Sequence, residues 1–369
     1  MIDPGRYTSG KIALANLSAS IASLELGRAE GATFDRSVAL SKLLFVRGDV
    51  LGCIANHDRA EFVATEAIAR SSDAASTLYI RAQLASRFHR FEEASERLYQ
   101  ALAAGYPRND IDGEKAALLQ ATGRYENALV MRERLADDNP GIHTLGALAS
   151  LLAEMNRWTD AEVTYAAGIE ADDGVSPLPC GQLLFEWGVG AMRHGDLDRA
   201  ESIFVELDAI LPAHVPGRGH RAEVALARGQ VDLAMKLVLP LLETSDDPEY
   251  RAIYAETLAK FGDSKAATEA ERAATAYELL LARRPDAYAD HAAAFFMGIG
   301  NRPQRAVELA LANRKIRDTP RSRRLLAKAL RNAQQVSGVQ EGGPYEHLRY
   351  HAGKPSASAQ GWHSHGATR

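Results

Sequence analysis

The stretch GRYENAL at residues 123–129 recurs along this chain in altered form, and that recurrence constrains the fold more than any other feature. HRFEEAS stands at 89–95, NRWTDAE at 156–162, GDLDRAE at 195–201, GQVDLAM at 229–235 and GDSKAAT at 262–268. Each copy opens on a glycine or a polar residue, continues with a side chain that is usually bulky, and reaches an alanine three further on. The anchoring alanines are Ala60, Ala94, Ala128, Ala161, Ala200, Ala234, Ala267 and Ala306, separated by 34, 34, 33, 39, 34, 33 and 39 residues. A fixed period of this length is the signature of a solenoid of helical pairs, because each unit can bury its apolar face only against its neighbours.

With the anchor alanine at position 20 of a 34-residue unit, position 8 is Gly48, Ala82, Ala116, Ala149, Gly188, Ala222, Ala255 and Ala294, all Gly or Ala. Position 11 is apolar in every copy, from Leu51 to Met297. Two antiparallel helices joined by a tight turn approach closely only where side chains are small, so positions 8 and 20 are the expected contacts. Position 17 supplies a plug beside the turn: Phe91, Tyr125, Trp158, Leu197 and Val231, with Pro303 opening the last second helix. One 39-residue spacing contains VSPLPC at 175–180, read as a loop; the other contains a long helix expected over about 266–283, ended before Pro285.

This pattern resembles the tetratricopeptide repeat family over residues 41–320. The best copy, 75–108, has Leu78, Ala82, Phe91, Ala94, Leu98 and Ala101 on the family positions. Copy 181–214 adds Trp187, Gly188, Phe204 and Pro212. Position 4, bulky in the family, is instead Asp112, Arg218, Arg251 and Asp290 in four copies, and His57 replaces the first aromatic plug. The resemblance implies an all-α fold, a right-handed α-solenoid of antiparallel helix pairs. The expected layout is an N-terminal capping region at 1–40, the solenoid at 41–320, a basic capping helix at 321–336 and a flexible histidine-containing tail at 337–369.

The bulk numbers agree. Hydrophobic content of 46% with 25% charge is that of a folded chain, and no apolar run is long enough to span a bilayer. Cys53 and Cys180 lie far apart in no paired spacing, which fits a reducing, cytoplasmic setting. Residues 12–24 are moderately apolar, but Asn16, Ser18, Ser20 and Ser23 interrupt them, so they read as an amphipathic helix and not an export signal. From Arg314 onward there are 11 basic and 3 acidic residues, while the rest carries 32 basic against 45 acidic. The body is therefore acidic and the C-terminal section basic.

No motif for catalysis emerges, and the chain is read as a non-enzyme without cofactor. GRYTSGK at 5–11 imitates a phosphate-binding loop, but Ile12 replaces the hydroxyl that would hold magnesium, and no strand precedes it. His347, His351, His363 and His365 in the tail offer metal-ligand types without a cysteine or an ordered frame, so no metal is assigned. Residues 314–331 carry eight basic side chains against Asp318 alone. An acidic partner could meet that helix, whereas nucleic acid is disfavoured because no aromatic residues interleave for base stacking.

The resemblance places the binding surface on the concave side, lined by the first helices through positions 2, 5, 9, 12 and 13. The expected lining includes Tyr79, Gln83, Arg87, His143 and Phe185. Further along it includes Arg193, Glu223, Glu256, Lys260, His291 and Phe295. The mixture suits a peptide with alternating apolar and polar contacts. Family members that clamp a chaperone C-terminus use Lys and Asn at positions 5 and 9 of the first repeat. Here those are Phe45 and Asp49, so that ligand is not expected. The leading expectation is a scaffold or adaptor for a protein partner; the alternative is a regulatory or sensory subunit whose groove takes a peptide or small ligand and controls an enzyme or transcription factor.

Overall fold

The computed structural model describes residues 4–29, 31 and 33–337, and among those residues there is no β-strand. A lone helix, α1 (Gly10–Ala29), precedes eight helix pairs. The first four are α2 (Phe34–Leu51) with α3 (Ile54–Arg70), α4 (Ala74–Arg87) with α5 (Phe91–Ala103), α6 (Arg108–Ala121) with α7 (Tyr125–Asp138), and α8 (Ile142–Glu154) with α9 (Trp158–Glu170). Then come α10 (Pro177–His194) with α11 (Leu197–Ile210), and α12 (Val215–Ala227) with α13 (Val231–Val238) and the single turn α14 (Leu241–Thr244). The last are α15 (Pro248–Phe261) with α16 (Lys265–Arg283), and α17 (Pro285–Met297) with α18 (Pro303–Ile316); α19 (Pro320–Ser337) packs on both. The pairs begin at Phe34, so the array reaches into the stretch expected to be the N-terminal cap. The tail from residue 338, with its four histidines, lies outside the described residues.

The recurring turn is explained by its backbone. Its first residue lies in the left-handed region in every copy: His89 (φ 59°), Gly123 (82°), Asn156 (62°), Gly195 (92°), Gly229 (72°) and Gly262 (71°). That residue ends one helix so that the next can fold back, and glycine or asparagine takes the conformation at least cost. His89 is the exception, and its Nδ1 lies 3.0 Å from the carbonyl oxygen of Asp286, a contact with a distant part of the chain.

The small positions behave as expected in most copies. Ala60, Ala94, Ala128, Ala161, Ala200, Ala234 and Ala306 are fully buried, as are Ala116, Ala149, Ala222 and Ala255. The register slips at two points. Ala267 and Ala294 are exposed, and their neighbours Ala266 and Ala293 take the buried places. Both slips fall in the last two pairs, beside the second 39-residue spacing, where α16 is a 19-residue helix. VSPLPC is not a loop throughout: Ser176 caps α10 and Pro177 is its first residue, so the extra residues of the first 39 lengthen that helix.

The solenoid is wound tightly enough for successive turns to touch. Ser245 donates from its hydroxyl to the carbonyl of Gly52. Asp246 accepts from the backbone amides of Ile54 (2.6 Å) and Ala55 (2.9 Å). Arg284 pairs with Asp58 (2.7 Å) and Glu61 (2.6 Å) while lying 3.7 Å from the ring centre of Phe88. A Cβ on Gly123 would meet the carbonyl oxygen of Asp318 at 2.5 Å. The α1 region also bridges turns, since Thr8 donates to the Val175 carbonyl at 2.7 Å and Tyr7 to Asp172 at 3.0 Å. It therefore does more than cap one end.

Candidate functional site

Where the turns meet, six helices surround a cavity of about 210 Å³. Asp49 comes from α2, His57 from α3, Phe185 from α10, His220 from α12, Glu249 from α15 and His291 from α17. Two glycines allow this approach. A Cβ on Gly48 would lie 2.3 Å from the His57 ring, and one on Gly219 would lie 2.5 Å from the Tyr250 ring. Glu249 is held by its place in the chain: Asp247 caps α15 by accepting from the Glu249 amide at 2.9 Å, and Pro248 is the first helical residue. A carboxylate in that first turn is favoured by the helix dipole.

The chamber is rich in ionisable groups. Asp290 and Glu249 raise the His291 imidazole to about 9, with Glu249 3.3 Å away. Burial opposes charge on Glu249, but His291 outweighs it and holds the carboxyl far down. Burial and the charge of Glu249 together push Asp247 up to about 7. Burial works against the His220 cation, yet contact with Glu223 prevails and raises it. Burial and Glu223 raise Glu256. On the opposite wall burial again opposes charge, but His57 at 3.1 Å and Arg87 hold Asp49 below the usual carboxylate range. His291 keeps 42% of its side-chain surface, so water reaches these groups.

A second charged region adjoins it. Burial raises Glu186 on α10, which accepts from Gln182 at 3.0 Å. Burial, with repulsion from Arg321 of α19, lowers Arg193 to about 10. Burial likewise lowers Arg132 on α7, whose Nε is buried with no hydrogen-bond partner among the described residues.

Of the residues expected to line the groove, Phe185, Glu223 and His291 converge here. Glu256 lies close enough to feel Glu223, and Arg87 reaches the chamber through Asp49. Arg193 sits in the adjoining charged region. Tyr79 is buried and stacked on Tyr106 at 4.1 Å, and Gln83 donates to Glu114 at 2.9 Å, so both join one pair to the next. His143 is exposed in the first turn of α8, outside the chamber. Phe295 is core, 5% exposed and 4.9 Å from the Tyr277 ring, and Lys260 is exposed at the far end of α15. His220, Asp247 and Glu249 were missed. Glu249 stands at position 2 of its copy and was within reach of the register; His220, at position 6, was not.

His220, Glu223 and Glu249 each offer one metal-ligand atom, all within 4.8 Å of one another.

Residues 191–257, from the end of α10 into α15, match the family model described as tetratricopeptide repeat. That stretch is accordingly of tetratricopeptide type, and the described chain as a whole is an array of paired helices. No curated protein matches the sequence. Among solved structures, the chain is similar to a tetratricopeptide repeat protein from Parabacteroides merdae at 16% identity, over 80% of this chain and 98% of that one, with a TM-score of 0.43. It is similar to the APC/C hetero-tetramer Cut9-Hcn1 at 11% identity, over 78% and 55%, with a TM-score of 0.46. It is also similar to the human IFIT1 dimer with m7Gppp-AAAA at 12% identity, over 91% and 84%, with a TM-score of 0.43. No helix among the described residues is long and apolar enough to cross a membrane.

Proposed function

We propose that this chain is a non-enzymatic scaffold that holds a segment of a protein partner against the inner faces of its first helices, around Phe185 and Arg193. One observation carries the reading. The inner side chains there are charged or aromatic and open to water: Arg132 is half-buried and Arg193 exposed, and the protein crowded around both guanidiniums opposes their charge. Enclosed charge without full internal compensation is what a polar ligand would complete, and aromatic and arginine side chains carry much of the energy of interfaces. The basic helix α19 adds long-range attraction that sets association rate and salt dependence.

A photoreactive residue at position 185, compared with one at position 130 on the outer face, where Val130 is 68% exposed, tests this. The partner should crosslink at 185 and not at 130. Crosslinking confined to 130 would move the interface to the outer face. Arg193→Ala should abolish capture, while Arg321→Glu with Arg324→Glu should weaken it and blunt its salt dependence.

A regulatory subunit that senses a small ligand is the second reading, supported by the size and aromatic walls of the 210 Å³ cavity. The mass of the product crosslinked at 185 separates the two, since a polypeptide adduct belongs to the scaffold and a small adduct to the sensor.

A further inference from the structure

We propose that His220, Glu223 and Glu249 form a binding site for a first-row divalent cation, with Zn²⁺ as the reference ion. The site shares the chamber with the proposed partner surface through Phe185, and the two readings are tested separately.

The geometry comes from two helices. His220 and Glu223 are three residues apart on α12 and share one face. Glu249 comes from the first turn of α15, and the three ligand atoms lie within 4.8 Å of one another. Ligands at about 2.0–2.2 Å from a tetrahedral zinc lie about 3.3–3.5 Å apart, so side-chain rotations of about an ångström would close the set. One imidazole nitrogen and two carboxylates suit zinc or manganese better than the all-oxygen shells preferred by calcium. The cavity leaves room for a water to complete the coordination, and His291 stands 3.3 Å from Glu249 outside the three-ligand set.

The surroundings fix the ligands as metal sites require. The Phe185 ring stacks on His220 at 5.5 Å and 24°, and the Phe204 ring stands behind it at 6.3 Å. Asp247 pins the backbone of Glu249.

The ion pairing is a second observation. Elsewhere several half-buried carboxylates pair with arginine, Asp112 with Arg134, Glu162 with Arg199, Glu201 with Arg221 and Glu278 with Arg305, while Glu114 and Glu186 accept from glutamine. Among the described residues, Glu223 and Glu249 pair with no arginine or lysine; their only cationic partners are His220 and His291. An imidazole nitrogen stands beside each carboxylate, and imidazole is a common ligand of zinc.

The test is calorimetric titration of the metal-stripped full chain with ZnCl₂, beside a variant in which His347, His351, His363 and His365 are all alanine. A Co²⁺ titration followed by visible absorption reports the coordination sphere. One site should persist in the tail variant, and Glu249→Gln, His220→Ala and Glu223→Gln should each weaken it at least tenfold. Melting in EDTA checks that the variants fold, and if His220→Ala does not, the isosteric Glu249→Gln decides. Unchanged affinity in Glu249→Gln and Glu223→Gln, or binding that vanishes with the tail histidines, would overturn the site. Partner crosslinking at position 185 in EDTA shows separately whether the scaffold reading holds without metal.

Discussion

The polar residues at position 4, the clearest departures from the repeat, are accommodated by ion pairs. Asp112 on α6 pairs with Arg134 on α7 at 2.6 Å, Arg251 on α15 with Glu269 on α16, and Asp290 on α17 with Arg317 at 3.4 Å. Each replaces an apolar contact between neighbouring elements by a charged one, which is costly to break from one side. Glycine shows how local context sets the sign of a substitution. A Cβ at Gly188 would lie 2.5 Å from the fully buried Phe204 ring, whereas at Gly113 nothing lies within 4 Å. Gly113→Ala should therefore stabilise by about 0.5–1 kcal/mol, and Gly188→Ala should cost about 1–3 kcal/mol through overpacking; urea unfolding of both measures it. His214 provides a pH dependence. It is 2% exposed, accepts from the Gly217 amide at 3.0 Å as the cap of α12, and burial lowers it to about 4. Unfolded, it titrates near 6.5. Between those values the unfolded chain binds a proton that the folded chain refuses. Stability should thus fall as pH drops through that window, by up to about 3 kcal/mol from this group. His214→Asn keeps a cap acceptor and should flatten the fall when unfolding is compared at pH 7 and pH 4.5.

At the scale of the element, the turn motif works because a left-handed residue stands five places before a buried alanine from His89 and Ala94 to Gly229 and Ala234, a spacing that fails in the first pair, where Gly52 turns the chain, and where α16 lengthens. Ala128→Leu meets a fully packed contact and should cost about 1–3 kcal/mol, while Ala267→Leu, on the exposed side of α16, should leave the melting temperature within a degree or two. Equal losses at both would show the register continuing through α16. The start of α3 depends on a distant residue. Cys53, its own cap, makes no side-chain bond, and Asp246 supplies both acceptors from 192 and 191 positions away. Asp246→Ala should cost about 0.5–2 kcal/mol, the value of an ordinary cap, and should raise amide exchange specifically at Ile54 and Ala55.

At the scale of the whole molecule, those contacts between turns separate this chain from a solenoid in which each repeat feels only its neighbours. The hydrogen bonds that Ser245, Asp246 and His89 make between one turn and the next span 191 to 197 residues, between five and six repeat lengths. Arg284 is the main ionic link, 15% exposed, touching Asp58, Glu61 and Phe88. Arg284→Ala should cost more than the ~1 kcal/mol of an exposed pair and less than the ~3–5 kcal/mol of a fully buried one. It should also broaden the unfolding transition, as the two turns lose their coupling. A transition that stays as sharp as that of the parent would mean that other contacts, such as Asp246 on α3, carry the cooperativity.

The period, the small contact positions and the helix ends were legible in residues such as Ala128 and Gly123, because they express local rules of turn conformation and close helix approach. Phe185, Glu223 and His291 were legible as inner-facing for the same reason. The folding of one turn onto another was not, because it depends on the small rotation between pairs summed over nearly 200 residues, and no local pattern encodes that sum. The chamber is made by that winding. Asp49, His220, Glu249 and His291 are spread over more than 240 positions and become one electrostatic unit only when α2, α12, α15 and α17 are brought face to face.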